Sequence, residues 1–211
     1  MDATDYVNKT ITFLQENNFN LLEASPLNRY IGRLKLTTRN CSDLFDFFKI
    51  KSHFLIPRNS SIPKLYSLPK IHKPLTPIRP IVSFVGSPAH KICSFLNDIF
   101  KKYLNFKAIY SIKNSTEFCK SLQSINIPQN CLLVSFDVSN LFPNVPIKEC
   151  LTLINTLLFR SSLPDYIVDD LFVLLCVAVD QNFFDFDGRI YRQALGLAMG
   201  SPFPQSLQRF V

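Results

Sequence analysis

Asp137 ends a short apolar run spanning residues 131–137, and Phe142 follows five residues later, just before Pro143 and Pro146. An acid at the tip of a buried strand can offer hard oxygen ligands to a divalent cation. An aromatic ring just beyond it can wall a small pocket. The opposite charge stands earlier in the chain, in Leu68-Pro69-Lys70-Ile71-His72-Lys73-Pro74 and Ile78-Arg79-Pro80-Ile81-Val82-Ser83. Arginine presents a planar fork to phosphate oxygens and lysine a point charge. A third component is Gly196-Leu197-Ala198-Met199-Gly200-Ser201-Pro202, with Gln193 just upstream. Small residues in such a loop let backbone approach a ligand closely, and a glutamine can hydrogen-bond within the same element. The pairing of acid and aromatic suits a nucleotide-polymerising site. Each also has an ordinary reading. Asp137 can be a strand-end residue, Phe142 one of 20 phenylalanines filling a core, the cations a solvated surface, and the glycine stretch a plain loop.

The elements that must carry these groups follow from pattern. Apolar positions Val7, Ile11, Leu14, Phe19 and Leu22 suggest helix over residues 1–24, and a second helix is expected over 41–56. Prolines 57, 63, 69, 74, 77, 80 and 88 break residues 57–90 into extended pieces, with strands expected at 62–68 and 78–85, paired as a hairpin or small sheet. Helical spacing returns over 89–105, and Asn114-Ser115-Thr116-Glu117 can cap a helix over 114–126. The run 131–137 reads as a buried strand, 148–159 and 165–179 as helices, and 183–192 as a hairpin turning at Asp187-Gly188. This order gives an α+β fold. Residues 1–56 form a helical N-terminal extension and residues 57–211 the section that carries the motifs.

The chain has 211 residues and a net charge of +7, unevenly spread. Residues 1–130 carry 18 basic and 8 acidic side chains, against 5 and 8 in residues 131–211. Within residues 49–107, 11 basic groups face one acid, Asp98. That asymmetry fits a polyanionic partner held next to a carboxylate-bearing site, and equally a solvated basic surface. The six cysteines form no C-x-x-C pair, and the polar, acidic N-terminus does not read as a secretory leader. Both favour reduced thiols in an intracellular protein, with nuclear and cytoplasmic residence left open. The longest apolar run, residues 171–179, is short of the roughly 20 residues that cross a bilayer, so no membrane partner is expected.

Taken in order, the four motifs closely resemble a reverse transcriptase, in particular that of Penelope-like retroelements, over roughly residues 60–202. The resemblance implies the fingers and an incomplete palm of a right-hand polymerase. It implies Mg2+ held by Asp137 and the backbone carbonyl of Val138, with Asp137 catalytic. Lys70, Lys73 and Arg79 would grip a triphosphate, Phe142 would act as the gate against a ribose 2′-hydroxyl, and Gln193 would contact the nucleotide. Gly196, Gly200, Ser201 and Pro202 would form the template-side loop. RNA template, DNA primer and deoxynucleotide would be the partners of this RNA-directed DNA polymerase. The family also needs a Tyr-x-Asp-Asp motif after the glycine loop, but residues 203–211 hold no acid. Tyr166-Ile167-Val168-Asp169-Asp170 precedes that loop and has one residue too many between tyrosine and acids. It reads instead as the start of an amphipathic helix. The expectation is therefore a chain truncated before its second carboxylate motif and inactive alone, with self-association through an uncovered palm edge. A non-catalytic nucleic-acid-binding module and a non-functional element relic are the alternatives.

Overall fold

The computed structural model describes residues 2–17, 19–104, 111–123, 125–126, 128–132, 134–138 and 141–200. Helix α1, Ala3–Glu16, opens on Asp2, whose carboxylate accepts the Asp5 amide at 2.7 Å. A short strand, β1, Phe19–Leu22, follows. The expected helix over 1–24 therefore stops early, because Phe19 and Leu22 pack as strand residues against a distant neighbour. Helix α2, Leu27–Asn40, was not evident in the pattern, while 41–56 splits into α3, Ser42–Phe47, and a 3-10 turn, Ser52–Phe54.

The proline-punctuated section makes the expected hairpin. Strand β2, Lys64–Pro69, pairs antiparallel with β3, Ile78–Ser83, from Lys64 opposite Ser83 to Pro69 opposite Ile78. Pro80 fits because β3 lies at the sheet edge. Helix α4, His90–Tyr103, and helix α5, Ser115–Gln123, come next. The expected cap of α5 is made twice over: Asn114 Oδ1 accepts the Glu117 amide at 2.9 Å, and the Glu117 carboxylate accepts the Lys113 amide at 2.7 Å.

The expected strand over 131–137 does not form. Its described residues lie outside every strand and are exposed, Leu132 at 87% and Phe136 at 94%. An apolar run becomes a strand only when a neighbour pairs with it, and none of the five strands has it as partner.

Helix α6, Ile147–Phe159, and helix α7, Asp165–Val179, precede a hairpin of β4, Phe183–Phe186, and β5, Arg189–Gln193. Asp187 and Gly188 turn it with φ of 52° and 73°, as a two-residue hairpin requires.

Among the described residues, five strands form one mixed sheet in the order β1-β5-β4-β2-β3, in which only the β2–β4 contact is parallel. The architecture is thus α+β, and β1, from the N-terminal 56 residues, is part of the same sheet as the hairpins. The pleat splits the core in two. Phe184, Phe186, Tyr191, Leu65 and Val82 meet α1 through Leu14 on one face. On the other, Phe183 joins the larger cluster built from α2, α3, α4, α6 and α7. Polar ties fix α1 in place: Tyr6 Oη accepts the Ser67 amide at 2.7 Å, and the fully buried Thr10 hydroxyl lies 3.0 Å from Ser67 Oγ. Among the described residues no helix is long and apolar enough to cross a membrane.

Candidate functional site

Three backbone pieces meet at the edge of β3. The first is the edge strand itself. The second is the single turn of 3-10 helix at Phe142–Asn144, with Pro143 in its first positions, where a fixed φ and a missing N–H are tolerated. The third is the glycine stretch. Met199 O accepts the Val82 amide at 2.7 Å, and Phe142 O accepts the Leu197 amide at 2.8 Å. The stretch is thus stitched to both other pieces. Its glycines are what permit this. A Cβ on Gly196 would sit 2.3 Å from both Phe142 O and Pro143 O, and one on Gly200 would sit 2.4 Å from Val82 O. Both have positive φ, 70° and 106°, so backbone freedom and empty space are needed together.

Between these pieces lies a cavity of about 450 Å3, a size that suits a small-molecule ligand. Lys70, Arg79, Asp137, Val138, Phe142 and Gln193 all line it. Residues from four separate sequence motifs thus share one hollow. Its walls are largely apolar, from Leu141, Pro143, Leu197 and Met199, with Phe13 of α1 and Phe19 of β1 added from the N-terminal segment. These two phenylalanines were not evident as site residues. Only tertiary packing brings them there.

The polar groups differ in their freedom. Lys70 begins the tight loop joining β2 to β3, its amide bonded to Pro77 O at 2.8 Å. Lys73 does not line the cavity. It lies exposed in that loop, its amide held by Lys70 O at 3.0 Å. Of the two lysines, Lys70 is therefore the one positioned toward the hollow. Gln193 is buried, and its Nε2 donates to Leu195 O at 2.7 Å. Its backbone is gripped on both sides, N–H to Asn182 O at 2.8 Å and C=O from Asn182 Nδ2 at 3.1 Å. Gln193 thus anchors the start of the glycine stretch, with one of its two side-chain N–H donors engaged there. Asp137 and Val138 reach the cavity from the exposed segment rather than from a strand end. Ser201 and Pro202 lie outside the described residues.

Tyr166, Asp169 and Asp170 do not line the cavity and lie in the first turns of α7. Burial raises the carboxyl pKa of Asp170, offset by a hydrogen bond from the Leu44 backbone. This acid has a packing role against α3 rather than a place in the cleft.

With Lys70 and Arg79 against Asp137, the cavity carries more cationic than anionic side chains, an arrangement that attracts phosphate. A Mg2+ site needs near-octahedral oxygen ligation, commonly from one or two carboxylates with water and substrate phosphates. Among the described residues, Asp137 is the only acid on the cavity wall, and no group of three or more His, Cys, Asp or Glu side chains could hold a metal. The described residues alone do not make up the donor set of a two-metal centre. No family model matches the sequence, and no curated protein matches it.

Proposed function

We propose that the cavity at the β3 edge binds a nucleoside triphosphate, in a section of chain descended from a Penelope-like reverse transcriptase. The reading is supported by one observation: Lys70, Arg79, Asp137, Phe142 and the glycine stretch line a single hollow of nucleotide size. Lys70 and Arg79 take the phosphates, and the apolar walls take the base and sugar. Phe142 stands against the sugar and favours a deoxyribose. Asp137 supplies one carboxylate, too few for turnover. Residues 1–211 by themselves therefore bind nucleotide without polymerising it.

Ligand-observed NMR titration of the full chain with dUTP and UTP, which differ only at the 2′ position, tests this. Expected are tighter binding of dUTP, a preference narrowed by Phe142→Ala, and affinity for both ligands lowered about tenfold by Lys70→Gln or Arg79→Gln, as for loss of one charge-assisted hydrogen bond. Binding that ignores all three substitutions overturns the reading. Primer extension with magnesium is expected to give no product above background. Product that disappears in Asp137→Ala would overturn the separation of binding from turnover.

The excess of basic residues over 49–107 favours a second reading, a nucleic-acid-binding module. Affinity for a labelled oligonucleotide would then fall steeply with salt and survive Asp137→Ala. Salt-independent affinity removes it.

A further inference from the structure

A second cavity of about 500 Å3 lies on the opposite face of the sheet. The pleat of β5 makes the division: Gln193 lines the first cavity and its neighbour Arg192 the second. Three arginines converge there, Arg29 and Arg33 from successive turns of α2 and Arg192 from β5. One carboxylate, Asp180 at the end of α7, also lines it, and Arg33 is already ion-paired with that group. Among the described residues, Arg29 and Arg192 have no carboxylate partner. Arg33 is further held by the Tyr30 ring, 5.8 Å from its guanidinium carbon. The 14-residue α2 begins at the rim, with no side-chain cap on its N-cap residue Pro26 and no acid in its first turn. Its positive end therefore adds to the arginines rather than being neutralised locally. The Ser25 hydroxyl stands at the same rim, 3.3 Å from the Leu27 amide.

Asp180 balances one of the three guanidinium groups around this hollow, that of Arg33, and leaves Arg29 and Arg192 without a partner charge among the described residues. Two forks with no internal acid, a hydroxyl and a helix N-terminus form a donor set for a tetrahedral oxyanion. We infer that this cavity is a phosphate-binding site, for the phosphates of either a free nucleotide-type ligand or a nucleic-acid strand. The inference does not rest on the nucleotide reading of the first cavity.

The test is protection of arginines from phenylglyoxal in the full chain, mapped by mass spectrometry, with pyrophosphate in one arm and a 12-nucleotide single strand in the other. Arg29 and Arg192 are expected to be shielded while Arg58, outside the cavity, is not. Shielding by pyrophosphate identifies a free phosphate ligand, and shielding by the oligonucleotide alone identifies a strand. Shielding by neither, or equal shielding of Arg58, overturns the site. The double variant Arg29→Gln/Arg192→Gln, checked for an unchanged thermal transition, is expected to bind the shielding ligand at least tenfold more weakly, with two charge-assisted contacts removed. Arg160→Gln, at the end of α6 and lining neither cavity, should leave that affinity unchanged. Unchanged affinity in the double variant overturns the assignment.

Discussion

Replacing Gly196 by alanine tests whether the glycine stretch is built against the Phe142 turn. Two costs are separable. The first is conformational: φ is 70°, and an L-residue there costs about 1–2 kcal/mol. The second is steric: the new Cβ would lie 2.3 Å from two backbone oxygens and 2.4 Å from the Pro143 carbonyl carbon. Backbone cannot rotate aside like the end of a side chain. The stretch would have to lift, and the 2.8 Å bond from the Leu197 amide to Phe142 O would break at a further cost of about 1 kcal/mol. The total expected loss is roughly 2–4 kcal/mol, a large part of a typical domain's stability. Two controls isolate the terms. Gly188 has a similar φ of 73° with nothing within 4 Å of an added Cβ, so Gly188→Ala carries only the conformational cost, about 1–2 kcal/mol. Gly32 lies within α2 in open space, so Gly32→Ala should stabilise by about 0.5–1 kcal/mol. Urea unfolding followed by far-UV circular dichroism gives all three values. If Gly196→Ala costs no more than Gly188→Ala, the stretch is not pinned to the turn and the shape of the first cavity is misassigned.

Other outcomes follow from particular contacts. Thr10→Val leaves the Ser67 hydroxyl in a buried site without its 3.0 Å partner, and denaturant unfolding should show a loss of about 1–3 kcal/mol. Among the thiols, Cys119 and Cys131 are exposed, whereas Cys41 and Cys93 are buried; burial pushes Cys41 up to about 12 and raises Cys93 as well. At pH 8 a thiol reagent should label the first two and spare the second two until the protein unfolds. Burial also raises Tyr30 well above its usual value. Groups whose folded pKa exceeds the unfolded one stabilise fully below the unfolded value and lose that contribution as pH rises toward the folded one. The folded state then holds more protons than the unfolded state above pH about 9, so unfolding free energy should fall from pH 9 upward, by up to about 1.4 kcal/mol per pH unit per group. A flat profile between pH 9 and 11 contradicts this.

Legibility in the sequence tracked how local each signal was. Helix α7 was read to the residue, since residues 165–179 keep a helical apolar stripe bounded by Pro164. The two hairpins were read because prolines, or Asp187-Gly188, mark their turns. Helix α2 was missed. Its apolar positions are interrupted by Arg29, Arg33, Lys35 and Arg39, and it contains Gly32 and two threonines, so its amphipathic face is set by packing on α7 through Tyr30 and Leu34. Strand β1 was mistaken for helix because four residues hold too little periodicity; its partner, β5, lies about 170 residues away. The same limit applied to the site. Lys70, Arg79, Asp137 and Phe142 stood out by type, but the choice of Lys70 over Lys73, the walls from Phe13 and Phe19, and the whole arginine cavity depend on non-local contacts.

The segment misread as a strand supports a final prediction, because the two pictures of it differ in energy. In a buried strand Phe136 would remove its ring from water, and truncation would cost about 3–5 kcal/mol. Here the ring is 94% exposed, so Phe136→Ser should change unfolding free energy by no more than about 0.5 kcal/mol. Leu132, Val134 and Val138 are also exposed, and this apolar strip is the kind of surface on which a chain associates with itself. Phe136→Ser should therefore lower the concentration dependence of the sedimentation coefficient while leaving the urea midpoint in place. Phe184→Ala provides the contrast: this ring is fully buried beside Tyr191, 6.2 Å between centroids, and its truncation should cost the full 3–5 kcal/mol or so. If Phe136→Ser destabilises as much as Phe184→Ala, residues 131–137 are packed in solution after all, and Asp137 reaches the cavity from a strand end.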